Sequence, residues 1–263
     1  MATQNSSSCR HFVLVHGANH GAWCWYKLKT LLEEAGHKVT AVDLAASGQN
    51  LVPLNDLQTM DDYHKPLYSY MAALAAEDRV ILVGHSYGGL AVSSAMERFP
   101  SKIALAVFVT AGMVGPNFTA NELWEKMSSV EGPDFFEDSV TTVYPNENMD
   151  LEAGPEFLKH KLYNLSPLED YTLARLLTRA TRIFCDNKSI LDHLVSKERY
   201  GTVPRAYFIV TDDKATSEEI QRVMIEATPP NEIREIRGAD HFVMLSKPLE
   251  LCHNLLEVAM KYY

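Results

Sequence analysis

Gly84-His85-Ser86-Tyr87-Gly88 constrains this chain more than any other stretch. Just before it, Arg79 to Val83 is a short apolar, β-branched run that predicts a buried strand. Just after it, Gly89 to Met96 is rich in small residues and predicts the start of a helix. Strand, G-x-S-x-G and helix in that order describe a sharp turn with a serine at its apex. Gly84 and Gly88 lack a Cβ, so strand and helix can approach closely around the turn. The turn lifts the Ser86 hydroxyl out of the sheet and puts the Tyr87 N–H beside it at a helix N-terminus. That hydroxyl can attack a carbonyl, and that N–H can hold the resulting oxyanion.

The rest of the chain supplies the frame such a turn needs. Apolar runs at His11–Val15, Ile103–Val109 and Ala206–Val210 predict further strands, and Lys38–Val42 and Glu232–Ile236 are read as two more. Helical spacing recurs at Ala22–Ala35, Met60–Leu74 and Pro248–Tyr262. Strands alternating with helices predict an α/β fold with a mostly parallel sheet covered on both faces. From Pro116 to about 200 no long β-branched run occurs, and helical patterns lie at Pro155–Tyr163 and Pro167–Leu177. We therefore divide the chain into a core, 1–115 and 201–263, and a mainly helical cap insertion, 116–200. Residues 1–9 are expected to form a disordered tail.

A serine nucleophile needs a base, and the base needs an orienting acid. Of ten histidines, His241 is the best base, because it follows the last predicted strand in Gly238-Ala239-Asp240-His241-Phe242. Acid candidates follow the strand ending at Val210, in Thr211-Asp212-Asp213-Lys214. The residues alone leave Asp212 and Asp213 open. Asp240 is weaker, since a side chain adjacent to His241 cannot easily reach its ring. Serine, acid and histidine then fall in chain order at the carboxyl ends of different strands, where open α/β sheets place their sites. A second oxyanion donor is expected from the loop after the first strand, His16-Gly17-Ala18, which nominates the Ala18 N–H. His16 is expected to brace that loop, and His85 to pack beneath the serine turn.

Composition narrows the partners. The net charge of −10 argues against nucleic acid or an anionic membrane, either of which needs a basic face. No stretch approaches the roughly 20 apolar residues of a membrane span. No metal-ligand cluster, phosphate loop or dinucleotide fingerprint is present, so no cofactor is expected. Cys9, Cys24, Cys185 and Cys252 are widely spaced and read as free thiols in a reducing, cytoplasmic setting.

Taken together these segments resemble the plant methylesterase family of α/β-hydrolases, the group of methyl salicylate esterase, polyneuridine aldehyde esterase and the hydroxynitrile lyases. The resemblance runs from His11 to Tyr262. It rests on His11–Ala18, Gly21–Trp23, Trp25–Lys29, Gly36–Ala41, Asp43–Gly48, the Ser86 turn, Arg199–Gly201 and Gly238–His241. It implies an α/β-hydrolase fold with a cap over an apolar pocket, and a serine carboxylesterase acting on methyl esters of small carboxylic acids. The family's E-D-K pattern falls on Asp212-Asp213-Lys214 and carries the acid role to Asp213; the oxyanion donors fall on Ala18 and Tyr87. The expected partners are a small-molecule ester and, at most, a second copy of the chain as a homodimer.

Two departures bear on chemistry. One branch of hydroxynitrile lyases carries Thr and Lys where this chain has Gly17 and Phe242, so the cation for a leaving cyanide is missing. Methylketone synthase relatives lose the serine that is kept here as Ser86. Asn19 stands where many esterase members have Cys, and is expected to stabilise its loop or sit at the pocket mouth. Trp124, Phe136 and Phe242, with Asn19, are the candidate pocket residues, and Phe135, Tyr144 and Leu162 are bulky neighbours whose placement the sequence leaves open. A lyase or decarboxylase on the same scaffold, or a receptor with slow hydrolysis, are the alternative functions.

Overall fold

Apolar residues alternate between two cores along each buried strand. In β1 (His11–Val15), Val13 and Val15 join one hydrophobic cluster while Phe12 and Leu14 join the other. The two-residue repeat of a strand sends successive side chains to opposite faces. Continuous apolar runs are therefore what a sheet covered on both sides requires. A computed structural model describes residues 9–132, 134–145, 148–184 and 195–263. The expected tail, apart from an exposed Cys9, and Cys185 lie outside the described residues.

After β1 come β2 (Lys38–Val42), β3 (Val80–His85) and β4 (Ile103–Val109), with α1 (Tyr26–Glu34), α2 (Met60–Ala73) and α3 (Gly88–Arg98) between or behind them. The insertion contributes α4 (Ala120–Glu131), then β5 (Val140–Val143) and β6 (Met149–Glu152). A short helical stretch, Pro155–Leu162, and helix Leu168–Leu177 lead to β7 (Thr181–Ile183). The core then resumes with β8 (Arg205–Val210) and β9 (Glu232–Ile236), and the chain ends in helix Pro248–Tyr262. The main sheet has the order β2-β1-β3-β4-β8-β9, with every pairing parallel. β3 thus lies at the centre and delivers Ser86 at its carboxyl end.

The insertion holds the expected helices, but it also holds a three-stranded antiparallel sheet, β5-β6-β7, that the sequence did not announce. Helices α2 and α4 both begin with a reciprocal cap. The Thr59 hydroxyl accepts from Asp62 N at 3.1 Å while Asp62 Oδ2 accepts from Thr59 N at 2.9 Å, and Thr119 and Glu122 repeat the exchange. Arginines tie the insertion to the core. Arg182 of β7 donates to Leu57 O at 2.8 Å, and Arg179 donates to Gly48 O and Asn50 O at 3.2 and 3.0 Å. Lys27 of α1 pairs with the buried Asp170 of helix Leu168–Leu177. No described helix is long and apolar enough to cross a membrane.

Two buried histidines couple this packing to pH. His64 on α2 is fully buried, and burial, followed by the Arg98 charge, lowers its pKa to about 3. Burial likewise lowers His20 to about 3. Both ordinarily titrate near 6.5, so between that value and about 3 the unfolded chain binds protons that the folded chain refuses. Their contribution is intact above pH 6.5 and is lost as pH falls below it, by roughly 2 kcal/mol per histidine at pH 5. Denaturant unfolding at pH 7 and pH 5 should show this loss, and His64→Leu should remove about 2 kcal/mol of the difference. An identical pH dependence in the variant would refute the assignment.

Candidate active site

The serine turn is strained where the motif demands it. Ser86 has φ 52°, the left-handed region that an ordinary side chain avoids. Its carbonyl accepts from Gly89 N at 3.0 Å and Gly112 N at 2.9 Å, which holds the turn in place. Helix α3 begins two residues later. A Cβ on Gly88 would stand 2.3 Å from His16 O and 2.9 Å from Val15 O, so the turn rests directly on the end of β1. A Cβ on Gly17 would lie 2.7 Å from Ser86 Cβ and 3.2 Å from Ser86 Oγ. Only glycine lets the loop after β1 come this close to the hydroxyl.

Asp213 and His241 meet at the carboxyl ends of β8 and β9. His241 Nδ1 lies 2.7 Å from Asp213 Oδ2. A carboxylate only accepts, so Nδ1 donates and Nε2 is left as the acceptor. Asp213 Oδ2 also accepts from the Thr110 hydroxyl at 2.5 Å, and Oδ1 accepts from Ala215 N and Thr216 N at 2.7 and 2.9 Å. Four bonds fill the carboxylate's acceptor sites and fix its plane. Asp212 faces solvent, where Oδ2 takes Gly238 N at 2.7 Å. Asp240 is buried but turns to Leu165 N at 2.9 Å, and burial pushes its carboxyl up. The structure therefore separates three acids that the residues alone left in competition.

The remaining histidines brace the site. Leu44 N donates to His16 Nε2 at 3.1 Å, and His16 Nδ1 donates to Gly17 O at 2.7 Å. His20 Nδ1 donates to Ala18 O at 2.8 Å, while the Tyr163 hydroxyl donates to its Nε2 at 2.7 Å. His85 packs beneath the turn as expected. Its Nε2 also donates to His241 O at 2.8 Å, a strut beneath the base that the sequence reading missed. Burial lowers the pKa of His16 and, together with the neighbouring His241, lowers that of His85. These rings are uncharged structural members.

Ser86, His241, Ala18 and Tyr87 border one cavity of about 990 Å³, including its open mouth. Asn19, Trp124, Phe136 and Phe242 all line it, as do Phe135 and Leu162. Tyr144 does not; its hydroxyl donates to Asp150 Oδ2 at 2.7 Å on the cap sheet. Phe242 is buried against His20 and Tyr163, at 4.1 and 4.6 Å between ring centroids. A lysine there would bury its charge among rings. Among the described residues no group of His, Cys, Asp or Glu could hold a metal ion.

A profile described as the alpha/beta hydrolase family matches residues 12–254. The chain belongs to that family. It is 47% identical over 255 residues to methyl jasmonate esterase 1 of Vitis vinifera, covering 96% of this chain and 98% of that one. It is 45% identical over 256 residues to salicylic acid-binding protein 2 of Nicotiana tabacum, covering 96% and 98%. The crystal structure of polyneuridine aldehyde esterase superimposes with a TM-score of 0.91 at 42% identity, covering 95% of this chain and 99% of that one. The resemblance drawn from the motifs thus holds across nearly the whole chain.

The two adjacent acids give a direct test. Asp213→Asn should lower kcat for ester hydrolysis by about 10⁴-fold, because an amide in place of the acceptor leaves His241 in the wrong tautomer. Asp212→Asn should change it little. Equal losses, or the reverse order, would overturn the assignment.

Proposed function

We propose that this protein is a serine carboxylesterase that hydrolyses methyl esters of small carboxylic acids. The observation that carries the reading is the Asp213–His241 pair, which leaves Nε2 as acceptor on the cavity that Ser86 borders. In this reading Ser86 Oγ attacks the ester carbonyl while His241 Nε2 takes its proton. The N–H groups of Ala18 and Tyr87 hold the oxyanion. His241 then protonates the departing methoxide, methanol leaves, and an acyl group remains on Ser86. His241 next takes a proton from water, whose oxygen attacks the acyl carbon, and the carboxylic acid is released as Ser86 regains its proton.

The acyl group would be apolar. Leu90, Leu123, Trp124, Met127 and Phe136 crowd the cavity, and Asn19, its main side-chain amide, spends its N–H groups on backbone carbonyls. Shape and apolar contact, rather than ionic pairing, would then select the acid. A jasmonate or salicylate ester, by analogy with the relatives, fits that description. Cyanohydrin cleavage by a lysine-assisted route is not part of the reading, since Phe242 supplies no cation and threonine at Gly17 would collide with Ser86. We also place the protein in the cytoplasm, on the support of the buried free thiols of Cys24 and Cys252.

A panel of aromatic, cyclopentanone and alkaloid methyl esters, assayed for methanol release, tests the proposal. At least one should be turned over, and Ser86→Ala should lower kcat by roughly 10⁴- to 10⁶-fold with the fold intact. Undiminished hydrolysis by Ser86→Ala, or cyanide release from mandelonitrile with no methyl ester accepted, would overturn it.

A further inference from the structure

The two residues that flank the serine as oxyanion donors both lie under the cap sheet. Met149, Leu151 and Ile183, on its inner face, form a small cluster against which Ala18 and Tyr87 pack. Each donor segment is also hydrogen-bonded to that sheet or to residues flanking β7. Asn19, directly after Ala18, is 3% exposed and has φ 62°. Asparagine tolerates this left-handed conformation better than most residues. Its N–H donates to the Thr181 hydroxyl at 2.7 Å, and its carbonyl accepts from Arg179 N at 3.0 Å. Its side-chain Nδ2 donates to Leu151 O at 2.7 Å and to Arg179 O at 3.0 Å. All four bonds run to the cap. On the other donor, the Tyr87 hydroxyl accepts from Phe184 N at 3.0 Å, just past the end of β7.

One cap strand thus holds the two donor segments at its two ends, the Ala18 segment through Asn19 at Thr181 and Tyr87 beyond Ile183. An oxyanion hole works by donors fixed in advance at the place where charge will develop. Displacement of the reacting geometry by about 1 Å can cost on the order of 100-fold. We propose that Asn19 and the Tyr87 hydroxyl are positioning residues that register the oxyanion hole against the cap, so that transition-state stabilisation depends on the seated cap sheet. A cysteine at position 19 could not make the two Nδ2 bonds, so this chain has a tether built from its own residue. The inference rests on the esterase reading for the roles of Ala18 and Tyr87.

Asn19→Gly keeps the positive φ and deletes the amide, and Tyr87→Phe deletes one oxygen while keeping the backbone N–H. Lys29→Met removes an exposed ion pair within α1, away from the cap and the site, and serves as the control. Each variant is measured for turnover of p-nitrophenyl butyrate, for inhibition by an alkyl trifluoromethyl ketone, and for thermal midpoint. The ketone adds the serine oxygen to its carbonyl and leaves an alkoxide in the hole. Asn19→Gly and Tyr87→Phe should lower kcat by roughly 10- to 100-fold with KM changed less than about threefold, and should weaken the ketone in proportion. Lys29→Met should leave kcat and ketone affinity unchanged. If Tyr87→Phe keeps full kcat and ketone affinity, or loses only thermal stability, the tether is structural and the proposal is overturned; that variant decides the matter even if Asn19→Gly fails to fold. Failure of the unaltered protein on every methyl ester would instead strike the esterase reading, while the p-nitrophenyl ester and ketone series still reads the hole.

Discussion

The site depends on the close approach of the chain to itself at the Ser86 turn. Gly88 sits where any Cβ would meet the carbonyls of Val15 and His16, and Gly17 sits where any Cβ would meet Ser86 itself. Those contacts lock the end of β1 to the start of α3 with no side chain between them. The strained φ of Ser86 is tolerated because the turn is held from both sides. Ala18 and Tyr87, each next to one of the locked positions, border the same cavity. The sheet order then does the rest: with β3 at the centre, the loops after β1, β4, β8 and β9 open toward the same edge of the sheet.

Histidine burial follows from the same crowding. His16, His20, His85 and His241 all lie around the site, yet among the described residues only His241 of these is hydrogen-bonded to a carboxylate. The other three spend their ring nitrogens on backbone or tyrosine partners, with one exception: Nδ1 of His85 is buried and makes no hydrogen bond among the described residues. Neutral rings suit this role, because an added charge beside His241 would oppose the imidazolium that forms when it takes a proton.

The core was legible because its signals are local. The inner strands are apolar runs, the terminal helix spans Pro248–Tyr262 as its spacing predicts, and the serine turn carries its own glycines. The cap sheet was not legible, for a physical reason. β5 is exposed at all four positions, so it carries no burial pattern, and β7 has three residues that pair with β6 some thirty residues away. Nothing in so short a stretch records such a partner. The choice of acid was similarly hidden, since Asp212 and Asp213 differ only in which way the turn points them, and that is set by the N–H groups of Ala215 and Thr216. Thr110 was missed as well. It ends an apolar run at the same sheet edge as the other site residues, and that position was the one available hint of its bond to Asp213.

The central claim is that the strained Ser86 hydroxyl, activated through His241, becomes the acylated atom. Covalent labelling measures this most directly: the protein is treated with a fluorophosphonate ester, its intact mass is determined, and the modified peptide is mapped. The account predicts one adduct per chain, on Ser86, formed with full loss of esterase activity. A protein that hydrolyses esters while Ser86 stays unlabelled, or that keeps its activity once Ser86 is modified, would contradict it.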